Sequence, residues 1–515
     1  MTHQSQTAAS AARPLAHSAR THGRPALVVL CLGVMMSFIN VSSTISALSP
    51  IQADLHISAS TMIWVSSAFS LVLVSLVLSA GTLGDLVGRR RVLMSGIALF
   101  TAGSLGAFLA GNAGLLIAAQ ALMGVGSAAI LPSSLAIVSH TFPDPQERTG
   151  AISTWAGCAG VGLAAGPLVA GALLDQVSWH SVFLPNVALG VLALVLTPLT
   201  VSESRIPSRR LDLAGVLFGT LTLASATYAI IEGGGIGYSK PVIIVAYLVF
   251  AVSLAAFVKL ELHHRDPMLQ LRLFKDPSFT TVMGISAVTM FGFVGIALLT
   301  VLYLERVAHD NALTTGVKLL PMYLSYVVVS VIAARLVRRA GVVATLVTGL
   351  VIMSAGAFAL LAAGAFSGYN SLWPGLLLAG VGSALLVAPS TAAGVNSVPP
   401  RQAGMAAASV NTFRQLGSVM GPSVLGTLVT ALFPRYLHDR LTAAGLPATR
   451  VHDVVADIAH DGTTSPPASL AHTLSVASPQ AFSSALHLGW FIAGLVLLAM
   501  TIPTLLFLRR STPAA

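Results

Sequence analysis

The chain has 515 residues, of which 55% are hydrophobic and only 9% charged, and its mean hydropathy is +0.85. A water-soluble domain cannot bury that much apolar surface, which excludes a soluble enzyme or binding module and leaves a polytopic membrane protein. The formal net charge is +10; its distribution along the chain accounts for it without a nucleic-acid partner.

Residues 1–26 are polar, basic and poor in acids and are expected to form a disordered cytoplasmic tail. They do not read as a cleaved signal, because the apolar run that follows is long enough to cross a bilayer. Crossing takes roughly 20 apolar residues. Such runs lie near 27–48, 62–83, 92–110, 114–138, 151–174, 182–201, 212–231, 240–258, 279–304, 317–337, 342–366, 372–393, 404–432 and 484–507, fourteen in all. Backbone groups in lipid must be satisfied within their own segment, so these spans are helices. Their many Ala and Gly residues favour close helix contacts. The runs 279–304 and 404–432 each have room for a bend. Cys31 and Cys158 fall in apolar runs, so no disulfide framework is implied. Residues 434–483 read as an external loop without a clear core, partly disordered or a short helical cap, and 509–515 as a second cytoplasmic tail.

Orientation follows from the Lys and Arg bias. With a cytoplasmic N-terminus, twenty of the 27 basic residues fall inside, among them Arg89, Arg90, Arg91, Arg338, Arg339, Arg509 and Arg510. Only Lys240, Arg306, Arg435, Arg440 and Arg450 fall outside, and Lys318 and Arg414 lie within spans. Both termini are therefore expected in the cytoplasm.

The pentapeptide Gly-Val-Gly-Ser-Ala occurs twice, at 124–128 and 380–384, each time shortly before a Pro-Ser pair. Gly162-xxx-Gly166-Pro167 is echoed by Gly417-xxx-Gly421-Pro422, and the segment from Pro143 to Gly150 by that from Pro399 to Gly404. The near-constant offset says that one membrane unit was duplicated, the sequence mark of secondary transporters. Six spans end near residue 201, well short of the repeat offset, so spans 7 and 8 read as an insertion. The expected domains are a six-helix bundle (27–205), two inserted helices with a linker (206–277) and a second six-helix bundle (278–508).

Between spans 2 and 3 runs Gly81-Thr-Leu-Gly-Asp-Leu-Val-Gly-Arg-Arg-Arg-Val-Leu93. Gly81 and Gly88 permit tight approach of two helix ends, and Asp85 can accept from an arginine such as Arg89 or Arg90 or from a helix N-terminus. This segment resembles the signature loop of the major facilitator superfamily, in which it implies a gating latch between halves. Gly162, Gly166, Pro167 and Gly171 in span 5, followed by Trp179-His-Ser-Val-Phe183, resemble the motif of the superfamily's exporter branches. With fourteen spans, the resemblance is to the drug:proton antiporter group. It implies an all-α major facilitator fold, two six-helix bundles plus two inserted helices, acting as a monomer.

Departures from the pattern fall at the residues that would carry protons. The usual acid of span 1 is Asn40 here, and the usual arginine of span 4 is Gln120. A proton-coupling site needs a group that gains and loses a proton, normally a membrane carboxylate beside a base. Spans 1 to 6 hold no Asp or Glu in their interiors. Glu232 and Glu305, near span ends, remain candidates for coupling, with capping as their alternative role. Arg414 is a charge near mid-membrane, about ten residues into span 13, and must face the interior and find a partner or water. Pairing with carbonyls and contact with cargo are both open for it. Lys318 is expected to snorkel.

No catalytic constellation, phosphate-binding loop or metal-ligand spacing is present, so no enzyme activity, ATP drive or cofactor is expected. The chain reads as a membrane exporter of amphiphilic drugs, antibiotics or secondary metabolites by alternating access, with proton antiport as the drive the resemblance implies. A facilitator or differently coupled exchanger, and a non-transporting sensor on a transporter fold, are the alternatives.

Overall fold

The computed structural model describes residues 4–142, 144–174, 176–204, 212–264, 269, 271–398, 403–447, 450–451, 454–455 and 468–508. Fourteen helices are long and apolar enough to cross a membrane, and no strand occurs among the described residues. Spans 1 to 6 are Gly23–Ser46, Ala59–Val77, Arg89–Phe108, Ala113–Thr141, Gly150–Leu174 and Trp179–Thr200. Spans 7 and 8 are Leu213–Gly234 and Pro241–His263. Spans 9 to 14 are Pro277–Arg306, Ala312–Ala333, Val342–Ala362, Tyr369–Asn396, Ser409–Ala443 and His472–Phe507. Spans 1–6 pack into one bundle, spans 9–14 into another, and the inserted pair packs on itself and on the seam between them.

The duplicated glycines do the same work in both bundles. A methyl group on Gly124 would stand 2.6 Å from the Phe69 carbonyl oxygen of span 2, and one on Gly126 2.6 Å from the Gly96 carbonyl oxygen of span 3. In the second copy, a methyl on Gly380 would overlap the Met322 carbonyl of span 10, and one on Gly382 would stand 2.6 Å from the Met353 nitrogen of span 11. The first glycine of each pentapeptide therefore seats one neighbouring helix and the second seats another, in matching positions of the two bundles. Gly162 and Gly166 likewise seat span 5 against Met35 to Ser43 of span 1, as Gly417 and Gly421 seat span 13 against Ala287 and Phe291 of span 9. Without a side chain the backbones approach closely enough for dispersion contacts to replace the hydrophobic force that is absent in lipid.

Of the two long runs with room for a bend, Pro277–Arg306 is one unbroken helix, whereas span 13 contains a π-helical turn at Pro422–Gly426. Pro422 has no N–H to donate, and the widened turn absorbs the mismatch. Pro167 lies inside the helix Pro145–Leu174, which continues through it.

Two expectations are corrected. The N-terminal segment expected to be disordered continues span 1 backwards as helix from Gln4, helped by its Ala-rich stretch at 8–12. The segment 434–483 has an apolar cluster of its own. The helices Thr427–Ala443 and Ala468–Ala499 bring together Leu437, Leu441, Leu474, Ala477 and Ala481, with Val451 beside them. The i, i+3/i+4 spacing of those residues is the helical stripe that would have revealed it. Lys318 directs its ammonium to the loop before span 10, pairing with Asp310 at 2.6 Å and sitting 5.6 Å from the Tyr369 ring centre. The echo between Pro143 and Pro399 falls outside the described residues.

Candidate functional site

The loop between spans 2 and 3 is held by charges within the first bundle. Gly88 has φ +123°, a conformation that side chains rarely adopt. A methyl group there would stand 2.7 Å from a carboxylate oxygen of Glu203. Arg89 donates to Asp85 through Nε and Nη2 at 3.0 and 2.8 Å and through Nη1 to the Ala136 carbonyl at 3.4 Å. The Arg90 backbone N–H donates to Glu203 at 3.0 Å, and the Arg90 and Arg91 guanidinium groups lie 4.0 and 3.8 Å from the same carboxylate. Gly81 packs against Pro132 of span 4. All these partners belong to spans 2 to 4 and the segment after span 6, so in this state the loop is a clamp within one bundle. Glu203 was not singled out in the sequence, although an acid just beyond span 6 facing an Arg-Arg-Arg run was the available signal.

At the opposite end the two bundles touch. A methyl group on Gly316 would stand 2.5 Å from the Pro167 carbonyl oxygen, and Gly171 lies against Ala312 and Leu313. Arg306 Nη2 donates to Gln52 Oε1 across the seam, and its guanidinium sits 5.8 Å from the Phe482 ring centre. Glu305 is wedged beside Ser49 and Arg306, with both of its carboxylate oxygens buried. Further in, Ser67 of span 2 and Ser423 of span 13 share a hydrogen bond of 3.2 Å.

Between the bundles lies a cavity of about 30 Å³, lined by Ser37, Phe38 and Val41 of span 1, Phe69 and Ser70 of span 2, Leu131 and Leu163 of spans 4 and 5, Met290 and Phe293 of span 9, and Gln415 and Ser418 of span 13. That is room for a water and not for an amphiphile. The lining is apolar with neutral hydroxyl and amide groups.

Asn40 and Gln120, singled out as the neutral replacements of a charged pair, meet. Asn40 Nδ2 donates to Gln120 Oε1 at 3.0 Å, and Gln120 Nε2 donates to Thr44 Oγ1 at 2.9 Å. Asn40 is 1% exposed and Gln120 fully buried. The ladder ties span 1 to span 4 with amides where an ion pair would otherwise stand, and none of its groups can titrate.

Arg414 donates through Nη2 to the Val387 carbonyl at 3.0 Å and to Thr391 Oγ1 at 2.7 Å, both in span 12. Thr391 closes the segment that begins with the second Gly-Val-Gly-Ser-Ala. Its first-copy counterpart, Ser134, accepts from Trp155 Nε1 of span 5 at 3.1 Å. The same tie between the motif helix and the following span is thus made by an indole in one copy and a guanidinium in the other. Glu232 accepts from Trp64 Nε1 of span 2 at 2.9 Å, which pins inserted span 7 to the first bundle. Gly234 packs on Thr427 of span 13 and so pins the same helix to the second. Asp212 caps span 7, accepting from the Gly215 N–H at 2.8 Å.

Comparison with known proteins places this architecture. The chain is 34% identical over 439 residues, 84% of its length and 81% of the relative's, to the multidrug resistance protein Stp of Mycobacterium tuberculosis. It is 32% identical to the drug efflux pump JefA of the same organism over 85% of this chain and 87% of JefA. It is 28% identical to the tetracenomycin C resistance and export protein of Streptomyces glaucescens over 95% of this chain and 92% of the relative. Among solved structures it resembles a bacterial homolog of the human lysosomal transporter Spinster, with TM-score 0.63 at 16% identity, covering 96% of this chain and 99% of that one. The profile of the Major Facilitator Superfamily matches residues 30–422, and the chain belongs to that superfamily.

Proposed function

We propose that the protein exports amphiphilic small molecules, drug-like compounds or secondary metabolites, by alternating access in the cell membrane. The observation that carries this reading is the central cavity, which both bundles line with apolar side chains and neutral polar groups. Closure on one side of it by the Gly316–Pro167 and Gly171–Leu313 contacts supports a state shut toward that end. The names of the relatives as multidrug, drug and antibiotic export proteins point the same way. The Lys and Arg bias puts the Arg-rich loop and both termini in the cytoplasm, so the closed end faces out. On this reading the Asp85–Arg89 clamp regroups against the second bundle when the cytoplasmic side shuts, and the protein works as a monomer.

Proton antiport is the drive the resemblance implies, with Glu232 and Glu305 as the carboxylates nearest the seam. The Asn40–Gln120–Thr44 ladder favours a second reading, in which transport does not depend on a proton gradient. Cells that express the chain should accumulate less of at least one compound, in a panel of anionic, neutral and cationic amphiphiles, than cells with the empty vector. Equal accumulation across a panel of amphiphiles would overturn export. Efflux that survives collapse of the pH gradient alone would reject antiport and leave export standing.

A further inference from the structure

The charge of the inter-bundle space is unbalanced. Arg414 sits mid-membrane, and no Asp or Glu among the described residues forms an ion pair with it. The described acids near the spans stand elsewhere: Asp85 with Arg89, Glu203 with Arg90, Glu232 with Trp64, Asp212 in its cap, Asp310 with Lys318, and Glu305 beside Ser49 and Arg306 at the other end of span 9. Its Nη2 is used on Val387 and Thr391, while Nε is buried with no acceptor. Its neighbour Tyr326 packs against Gly160 of the first bundle, so the guanidinium lies on the face of the second bundle that looks at the first. Its sequence neighbour Gln415 lines the central cavity.

A guanidinium buried beside an apolar cavity is costly unless something negative reaches it. A planar fork of donors with one edge unsatisfied is suited to a carboxylate, sulfonate or phenolate. A lipophilic cation would meet like charge there with no acid to offset it. We propose that Arg414 is the recognition point for an amphiphilic organic anion as cargo, whose export the inside-negative membrane potential drives. The proposal rests on the export reading and supplies an energy source that the Asn40–Gln120 ladder lacks. At about 100 mV, inside negative, a monovalent anion is held about 50-fold more concentrated outside at equilibrium, with no proton moved.

The test uses the full chain in proteoliposomes, with the potential set by a potassium gradient and valinomycin and the pH held equal by strong buffer. The probes are radiolabelled taurocholate, a fully ionised amphiphilic anion, and ethidium, a cation. A lumen-negative potential is expected to speed loss of trapped taurocholate several-fold. Arg414→Gln is expected to slow it at least tenfold, Arg414→Lys to restore part of the rate, and ethidium to be unaffected by either change. Ethidium movement with taurocholate retained would overturn the anion assignment and leave export intact. So would taurocholate flux that ignores potential, or that Arg414→Gln leaves unchanged. Immobility of both probes, in a chain that gives cells no efflux of any amphiphile, would overturn both readings.

Discussion

The two copies of the duplicated unit have kept the same packing and diverged in charge. In both, paired glycines of the motif helix seat two neighbours, and the second residue after the proline ties that helix to the next span. In the first copy Asn40 and Gln120 tie span 1 to span 4 with neutral amides, Asn40 Oδ1 being left without a donor. The second copy carries Arg414, charged and with Nε unsatisfied. Packing positions are constrained by backbone contact, which tolerates no added atom, whereas side-chain ties can be rebuilt with other chemistry. On the anion-export proposal, the asymmetry in charge follows the cargo more than the fold.

The largest effect that would break the comparison is steric. A methyl on Gly417 or Gly380 overlaps a backbone carbonyl, while one on Gly162 stands 2.9 Å from its nearest atom. Gly417→Ala and Gly380→Ala should each cost about 3 kcal/mol or more by overpacking, read as loss of monodisperse protein in detergent. Gly162→Ala should cost clearly less, and Gly157→Ala, with open space at its Cβ, should be neutral. Equal tolerance at all four would deny that the second copy is the tighter.

Charge comes next. Asn40→Asp puts an acid against the Gln120 oxygen in a dry site and should destabilise by about 2–4 kcal/mol. Adding Gln120→Arg should recover most of that loss and give transport a new dependence on the pH gradient. A double variant as unstable as the single one would show that the first bundle cannot host the pair. A smaller effect is expected at the clamp, where Glu203→Gln weakens three basic contacts at a half-exposed carboxylate. That should cost about 1 kcal/mol in melting experiments. Smallest is Trp64→Phe, which removes one hydrogen bond to Glu232 and should cost about 1 kcal/mol or less, detected as a slightly lower melting temperature in detergent.

Much of the fold was legible because lipid leaves few choices: span number, the duplication and the inserted pair all follow from apolar length and glycine spacing. The site was legible in kind but not in contact. Asn40 and Gln120 stood out as replacements, yet their meeting across 80 residues depends on the angle between spans 1 and 4, which no local pattern encodes. Arg414 announced itself by cost, but its acceptors on span 12 did not. Gln52, whose amide meets Arg306 across the seam, carries no signal in the short helix Leu48–Leu55. The apolar stripe of residues 437–481 was readable, and its Ala- and Ser-rich surroundings masked it.

The inserted hairpin has a consequence for traffic within the bilayer. Trp64–Glu232 on one side and Thr427–Gly234 on the other lay span 7 over the seam between spans 2 and 13, with span 8 outside it. The opposite seam, where Gly160 meets Tyr326 and Val327, has no such shutter among the described residues. For cargo taken from the membrane leaflet, opening of that seam is the one sideways route instead of two. If cargo enters that way, a cross-link between spans 5 and 10 should block transport where one between spans 2 and 13 does not.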